Sequence, residues 1–344
     1  MTQVAKSPTI QDVARQAGVS AATVSRVLSA PERVSENTRE RVQTAVRETG
    51  YTINQAARTL RQQKARTLLA AMPGIGNMFY AGILESVVHT AALKGYGVLV
   101  TSRLIDDPTR WLADYLQSNR ADGLLLFDWT LDTQELHRMA NNSGRLPLVT
   151  AYDALPHPRI NAVITDNLLA AKRAVDHLVE LGHRRIGHIS GPASSALPNE
   201  RLLGFREAMR DHRLNLREDW IIAGDYHLQS GIRAAEILLS GKDLPSALFI
   251  ANDSMAIGAI SAFRRAGIEC PRDISVIGFD DVEFSGTYFP ALTTMRQPRA
   301  EIGRLATETL IDQLEGPNDS DEAVRIVLRS ELVVRDSTRA IEPG

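Results

Sequence analysis

The sequence predicts an α/β protein in two parts, a small all-helical head followed by a larger body of two doubly wound lobes. Three observations predict it. Residues 1–66 hold eleven Lys and Arg against five Asp and Glu, while the other 278 residues hold 28 against 36, so a basic head precedes an acidic body. Up to Gly50 the apolar residues recur at helical spacing. From Thr67 onward short apolar runs alternate with longer amphipathic ones, the pattern of parallel strands covered by helices on both faces.

In the head, Thr9-Ile10-Gln11-Asp12 has the form of a capping box, in which each end side chain satisfies an orphan backbone donor. Ile10, Val13, Ala14 and Ala17 follow on one face, and Gly18 supplies the stop. Ser20 caps a second helix whose Ala21, Val24, Val27 and Leu28 share a face. A third starts at Ser35, turns Val42, Ala45 and Val46 inward and ends at Gly50. Three short helices with a tight turn at Gly18 make a helix-turn-helix arrangement. The outer face of the second helix carries Ala22, Ser25, Arg26 and Ser29, beside Thr23. It is either a solvated surface or a face pressed against a duplex. In the second case small residues let the backbone sink into the major groove, hydroxyls bond phosphate oxygens and one Arg reaches a guanine edge. The capped helix before it and the basic surroundings favour DNA. Residues 51–66, YTINQAARTLRQQKAR, are polar and basic, with Ala56, Ala57 and Leu60 at helical spacing. They read as a linker able to become a short helix, which in isolation is marginal in water.

In the body, LLAAM precedes a helix around 79–94, VLVTS one around 109–118, GLLLF another, and PLVTA closes the first series. A second series places VIT before a helix at 168–181, IGHIS before 201–211, ALFIA before 255–266, and ends on ISVIGF. Gly95, Gly182 and Gly267 stand where helices should stop. The tail adds a helix near 301–315, a polar Gly-Pro-Asn-Asp-Ser loop and the strand-like runs RIVL and ELVVR. The expected domains are therefore a helix-turn-helix head at 1–50, a linker at 51–66 and a body at 67–344. Its lobes are expected near 67–161 plus 291–330 and near 162–290.

Ligands of open parallel sheets bind beyond the carboxyl ends of the strands. Asp166, Asn252-Asp253 and Asp280-Asp281 stand at such ends, and Arg201 opens the helix after IGHIS. They either converge on a hydroxyl-rich small molecule between the lobes or serve as turn formers and helix caps. Phe79 and Tyr80 either stack on a ring there or fill the core. Enzymatic chemistry finds no support. Gly74-Ile75-Gly76-Asn77-Met78-Phe79 lacks the third glycine of a dinucleotide fingerprint, and neighbouring Asp280 and Asp281 diverge rather than pair. The eight His form no metal-ligand motif, and no G-x-S-x-G elbow occurs. No enzyme activity, cofactor or metal is expected. The lone Cys270 excludes an intrachain disulfide and a multi-cysteine zinc site. With no signal-like or membrane-length apolar run, no membrane association is expected and a cytoplasmic location is.

The segments TIQDVARQAGVSAATVSRVL, RVSENTRERVQTAVRETGY and NQAARTLR closely resemble the DNA-binding head and hinge of the lactose-repressor (LacI/GalR) family. GPASS, RLLGF, ANDSMAIGA, ISVIGFDD and LTTMRQP resemble landmarks of its core, and QPRAEIGR and ELVVRDSTRA look most like its cytidine-repressor branch. The resemblance implies a homodimeric transcriptional repressor that binds a pseudo-palindromic operator in double-stranded DNA. It also implies a core of periplasmic-binding-protein-like type that senses a small effector, and Arg201, Asn252 and Asp280 together suit the vicinal hydroxyls of a sugar or nucleoside. Carried over by position, Ala21, Ala22 and Arg26 face bases, and Ser20, Thr23, Ser25 and Ser29 face phosphates. Ala57 and Leu60 lie on a hinge helix, with Leu60 wedged into the minor groove to kink the duplex. Phe79, Tyr80, Arg201, Tyr226, Asn252 and Asp280 match effector-contacting positions. The chain departs from the pattern at Ile53, where many members carry Pro. Tyr152 takes the place of a sugar-binding Asp, and Ser195 that of an Arg used in the purine branch.

Overall fold

The computed structural model describes residues 8–51, 64–74, 76–102, 115, 118, 120–127, 147–152, 160–192, 196–316 and 323–341. The chain divides into two compact units, Met1–Lys64 and Ala65–Gly344.

The small unit consists of α1 (Ile10–Ala17), α2 (Ala21–Ser29), a 3-10 turn Pro31–Arg33 and α3 (Glu36–Thr49). The Thr9 amide donates to Asp12 Oδ2 at 2.9 Å, the capping contact that starts α1. Gly18, at φ 61°, ends that helix in the left-handed region that costs a residue with a Cβ. Val13, Ala14 and Ala17 of α1, Val24 and Val27 of α2, and Val42 and Ala45 of α3 bury one another. Leu28 and Val46 lie half-buried at the edge of this core. Arg41 reaches from α3 to donate to the Ala17 carbonyl at 2.8 Å, fastening the α1–α2 turn.

In the large unit the first lobe begins with β1 (Thr67–Met72), α4 (Met78–Leu93), β2 (Gly97–Ser102), β3 (Gly123–Leu126), β4 (Leu148–Tyr152) and β5 (Asn161–Thr165). The second holds α5 (Asn167–Glu180), β6 (Ile186–Ser190), α6 (Ala196–Asp211), β7 (Ile221–Ala223), α7 (Leu228–Leu239), β8 (Ala247–Ile250), α8 (Asp253–Arg265), β9 (Ser275–Asp280) and β10 (Thr293–Arg296). Then α9 (Arg299–Glu315) and β11 (Arg325–Leu328) return to the first lobe, and β12 (Glu331–Val333) to the second. The first sheet has the order β11-β5-β4-β3-β1-β2 and is parallel throughout. The second has the order β12-β10-β9-β8-β6-β7, with β12 antiparallel to β10. Among the described residues the chain thus passes between the lobes three times, from β5 to α5, from β10 to α9 and from β11 to β12.

This pairing corrects the lobe limits expected from sequence. VIT, grouped with the second series, lies on β5 and pairs with β4 and β11 of the first sheet. Residues 293–296, expected in the first lobe, pair with β9 of the second. Hydrogen-bond partners set a strand's sheet, and in a fold whose chain crosses repeatedly, sequence neighbours need not share one. Helix α6 begins five residues before Arg201, and α7 and β7 stand where no element was expected. Apart from residues 115 and 118, the helix expected at 109–118 lies outside the described residues, as does the one after GLLLF. On α7 and α8, Gly231 and Gly258 let the backbones touch, for a Cβ on either would collide with the Met255 or Leu228 carbonyl. The first lobe has a core centred on Phe79, Ile83 and Val87 of α4 and Leu310 of α9. The second is packed on both faces of its sheet.

Candidate functional site

Two groups of residues were candidates, one in each unit. In the small unit Ser20 caps α2, its Oγ accepting from the Thr23 amide at 3.1 Å and lying 2.9 Å from the Thr23 hydroxyl. Val24 and Val27 point inward, which leaves Ala22 and Arg26 exposed on the opposite side. Ala21, Thr23 and Ser25 are half-buried around them. The result is a low ridge of short side chains carrying a single guanidinium. Ser29 ends the helix, while Ala57, Leu60 and Ile53 lie outside the described residues.

In the large unit, Arg201 of α6 is fully buried. Its Nε donates to Asn167 Oδ1 at 2.9 Å and a terminal nitrogen donates to the Ala251 carbonyl. Its guanidinium carbon stands 3.7 Å from the centroid of the Phe279 ring and 5.9 Å from that of Tyr226. Burying a cation is costly unless its donors are satisfied and an opposite charge is near, and here Asp280 meets that need. Asp280 ends β9 at φ 113°, is 4% exposed and accepts from Gln297 Nε2 at 2.7 Å. Burial pushes its pKa up to about 7, against the pull of Arg201 downward. Its neighbour Asp281 turns the other way, to Arg296 at 2.6 Å and Arg335 at 2.7 Å. Burial acts to raise the Asp281 pKa too, but the two arginines outweigh it and hold the carboxyl below its usual range. Adjacent acids therefore carry opposite character, one ready to be neutral and one firmly ionised.

The other strand-end polar residues divide between roles. Asn252 Oδ1 caps α8 by accepting from the Met255 amide, and its Nδ2 donates to the Tyr226 carbonyl, both at 2.9 Å. Asp166 caps α5 by accepting from the Leu169 amide. Asp253 is fully buried and accepts from the Val282 amide and the Ser285 and Thr294 hydroxyls, bracing the end of β9. Arg201, Tyr226, Asn252 and Asp280 thus come together at the carboxyl edge of the second sheet. Phe79 and Tyr80 do not join them: they meet edge to face at 5.2 Å within the core of the first lobe, 2% and 3% exposed. A cavity of about 680 Å3 opens between the lobes, lined by Gly76, Asn77 and Met78 on one side and Tyr226, Phe284 and Tyr288 on the other. That volume suits a small organic ligand. Of the sequence-predicted residues, Tyr226 is the one lining it. Tyr152 closes β4, and Ser195 lies outside the described residues. Asn167 and Gln297, which hold the two buried charges, carried no signal in the sequence beyond their places next to a strand end and a proline.

The titration of the buried acids gives a measurable consequence. A carboxyl whose folded pKa exceeds its unfolded value contributes stability that is complete below the unfolded pKa and is lost as pH rises through the folded one. Asp280 moves from 3.8 to about 7 and Asp253 from 3.8 to about 6, burial being the main cause for both. The urea midpoint of the chain is expected to fall across that interval, and Asp280→Asn to flatten its upper part. A midpoint as steep in Asp280→Asn as in the wild type would refute the assignment.

Comparison with known proteins bears on both units. Residues 9–54 match the model of bacterial regulatory proteins, lacI family, and residues 175–338 that of a periplasmic binding protein-like domain. The HTH-type transcriptional repressor CytR of Escherichia coli (strain K12) is 36% identical over 340 residues, 97% of each chain. The HTH-type transcriptional repressor PurR of Vibrio vulnificus (strain CMCP6) is 32% identical over 335 residues, 97% of this chain and 99% of its own. The crystal structure of the lac repressor dimer bound to operator and the anti-inducer ONPF superposes with a TM-score of 0.87 at 30% identity, covering 97% of this chain and all of that one. Among the described residues no helix is long and apolar enough to cross a membrane.

Proposed function

The chain belongs to the lacI family of bacterial regulatory proteins, and from that premise we propose that it is a dimeric transcriptional repressor rather than an enzyme. It acts on double-stranded DNA in the cytoplasm, and its hold on a pseudo-palindromic operator is set by a sugar or nucleoside bound between the lobes of the core. The observation that carries this reading is that likeness to helix-turn-helix repressors runs through head and core together, over 97% of the chain. In this reading α2 lies in the major groove. Ala21 and Ala22 allow close approach, Arg26 reads a base edge and Ser20, Thr23, Ser25 and Ser29 serve the phosphates. In the same reading Ala57 and Leu60 face the minor groove at the centre of the operator. Arg201 and Asp280 offer a donor fork and an acceptor to vicinal hydroxyls, Asn252 and Tyr226 flank them, and Phe79 and Tyr80 back the first-lobe wall. A ligand shifts operator binding only by the difference between its affinities for the two arrangements of the core.

The test is selection of operator fragments from genomic DNA by the purified full chain, followed by titration of a selected duplex with and without cytidine, adenosine and ribose. A preferred site whose affinity falls steeply with salt, as counterion release demands, is the expected result. No preference over random duplex would end the proposal.

A further inference from the structure

The first passage between the lobes takes place where Thr165 ends β5 and Asn167 opens α5. Asn167 is fully buried at this junction. Its carboxamide offers two donor hydrogens and an acceptor oxygen, and all are engaged. Nδ2 donates to the Thr165 carbonyl at 3.0 Å, the amide bonds the Glu200 carboxylate, and Oδ1 accepts from Arg201 Nε at 2.9 Å. A guanidinium has no acceptor and a carboxylate no proton to give, so these neighbours force a single orientation on the amide.

We propose that Asn167 is a positioning residue: it sets the plane of the buried Arg201 guanidinium and transmits that plane to the crossover between the lobes. The inference rests on the reading of Arg201 as a ligand-binding cation. The Ala251 carbonyl holds one terminal nitrogen and the Phe279 ring covers one face, but both belong to the second lobe. Asn167 adds a bond at Nε, the atom about which the fork turns, and the same side chain grips the carbonyl that closes the first-lobe strand. Relative movement of the lobes strains the Asn167–Thr165 bond or tilts the guanidinium. A ligand that requires one tilt therefore favours one arrangement of the lobes.

The experiment titrates the full chain with cytidine, adenosine and ribose by calorimetry, well below its melting temperature, for the wild type, Asn167→Ala and Asn167→Asp. The probe that the wild type binds should bind Asn167→Ala at least about tenfold more weakly, the worth of a hydrogen bond to a charged group. Asn167→Asp, which still presents an oxygen to Nε but turns its other oxygen toward the Thr165 carbonyl and the Glu200 carboxylate, should recover part of the loss. A merely structural role would lower the melting temperature of both variants and leave ligand affinity unmoved. Asn167→Ser, too short to reach Nε, carries the same expectation as the alanine variant and replaces it if that chain does not fold. A folded Asn167→Ala or Asn167→Ser chain that binds as tightly as the wild type overturns the inference and leaves the cleft reading standing. Binding of none of the three probes by the wild type overturns the cleft reading, and the inference with it.

Discussion

Arg201→Met abolishes the response to ligand while operator binding without ligand is retained. The substitution keeps an unbranched side chain in the space α6 fills but removes every donor. Asn167 Oδ1 and the Ala251 carbonyl then lose their partner, at about 1–3 kcal/mol for each buried group left unsatisfied. The loss extends to Asp280. Arg201 is the charge that pulls the Asp280 pKa down toward about 7, so without it the carboxyl rises further and is neutral at physiological pH. A ligand hydroxyl would then meet neither the cation nor the anion. The expected measurements are a urea midpoint lowered by several tenths of its wild-type value, no heat on titration with the probe the wild type binds, and an operator complex indifferent to that probe. A normal ligand response in Arg201→Met would remove the residue from the site.

Arg26→Ala weakens operator binding by about 1–3 kcal/mol, roughly five- to 150-fold, and relaxes base preference at one position of each half-site. The size follows from the poverty of the surface around it. Ala22 beside it has no donor, and Ser25 is half-buried, so Arg26 alone on that ridge can form two parallel bonds to a base edge. Its loss should leave the head folded, because α2 is held by Val24 and Val27 on the other side and by the Ser20 cap. Binding to a selected duplex and to a panel with single base changes would separate the two effects. A uniform loss over all sequences would reassign Arg26 to a phosphate.

Much of this was legible in the residues themselves. The limits of α1 follow from Thr9 and Gly18, because local chemistry alone fixes a cap and a stop. The alternation from Thr67 onward named most strands of both sheets, since strands buried on both faces read as apolar runs. Part of what was missed was local and part was not. Helix α7 opens Leu228-Gln229-Ser230-Gly231, a poor start by propensity that hides the good helix formers from Ile232 to Leu239, and Gly231 is there to let it lie against the Met255 backbone. The assignment of β5 and β10 to lobes depended on pairing that no window of sequence contains. In the site, Asp166, Asn252 and Asp280 were visible at strand ends, yet only geometry separates a cap from a ligand group. Asn167, one place further on, drew attention only when its amide was found between Thr165 and Arg201.

The triple connection between the two halves of the core also constrains how the protein can diversify. A lone tether would act as a swivel, whereas several straps restrict how one half can turn against the other. Any molecule accepted by the cleft acts through those same straps, whatever groups recognise it. Changes in the lining can therefore alter what is sensed without redesigning how the message is delivered.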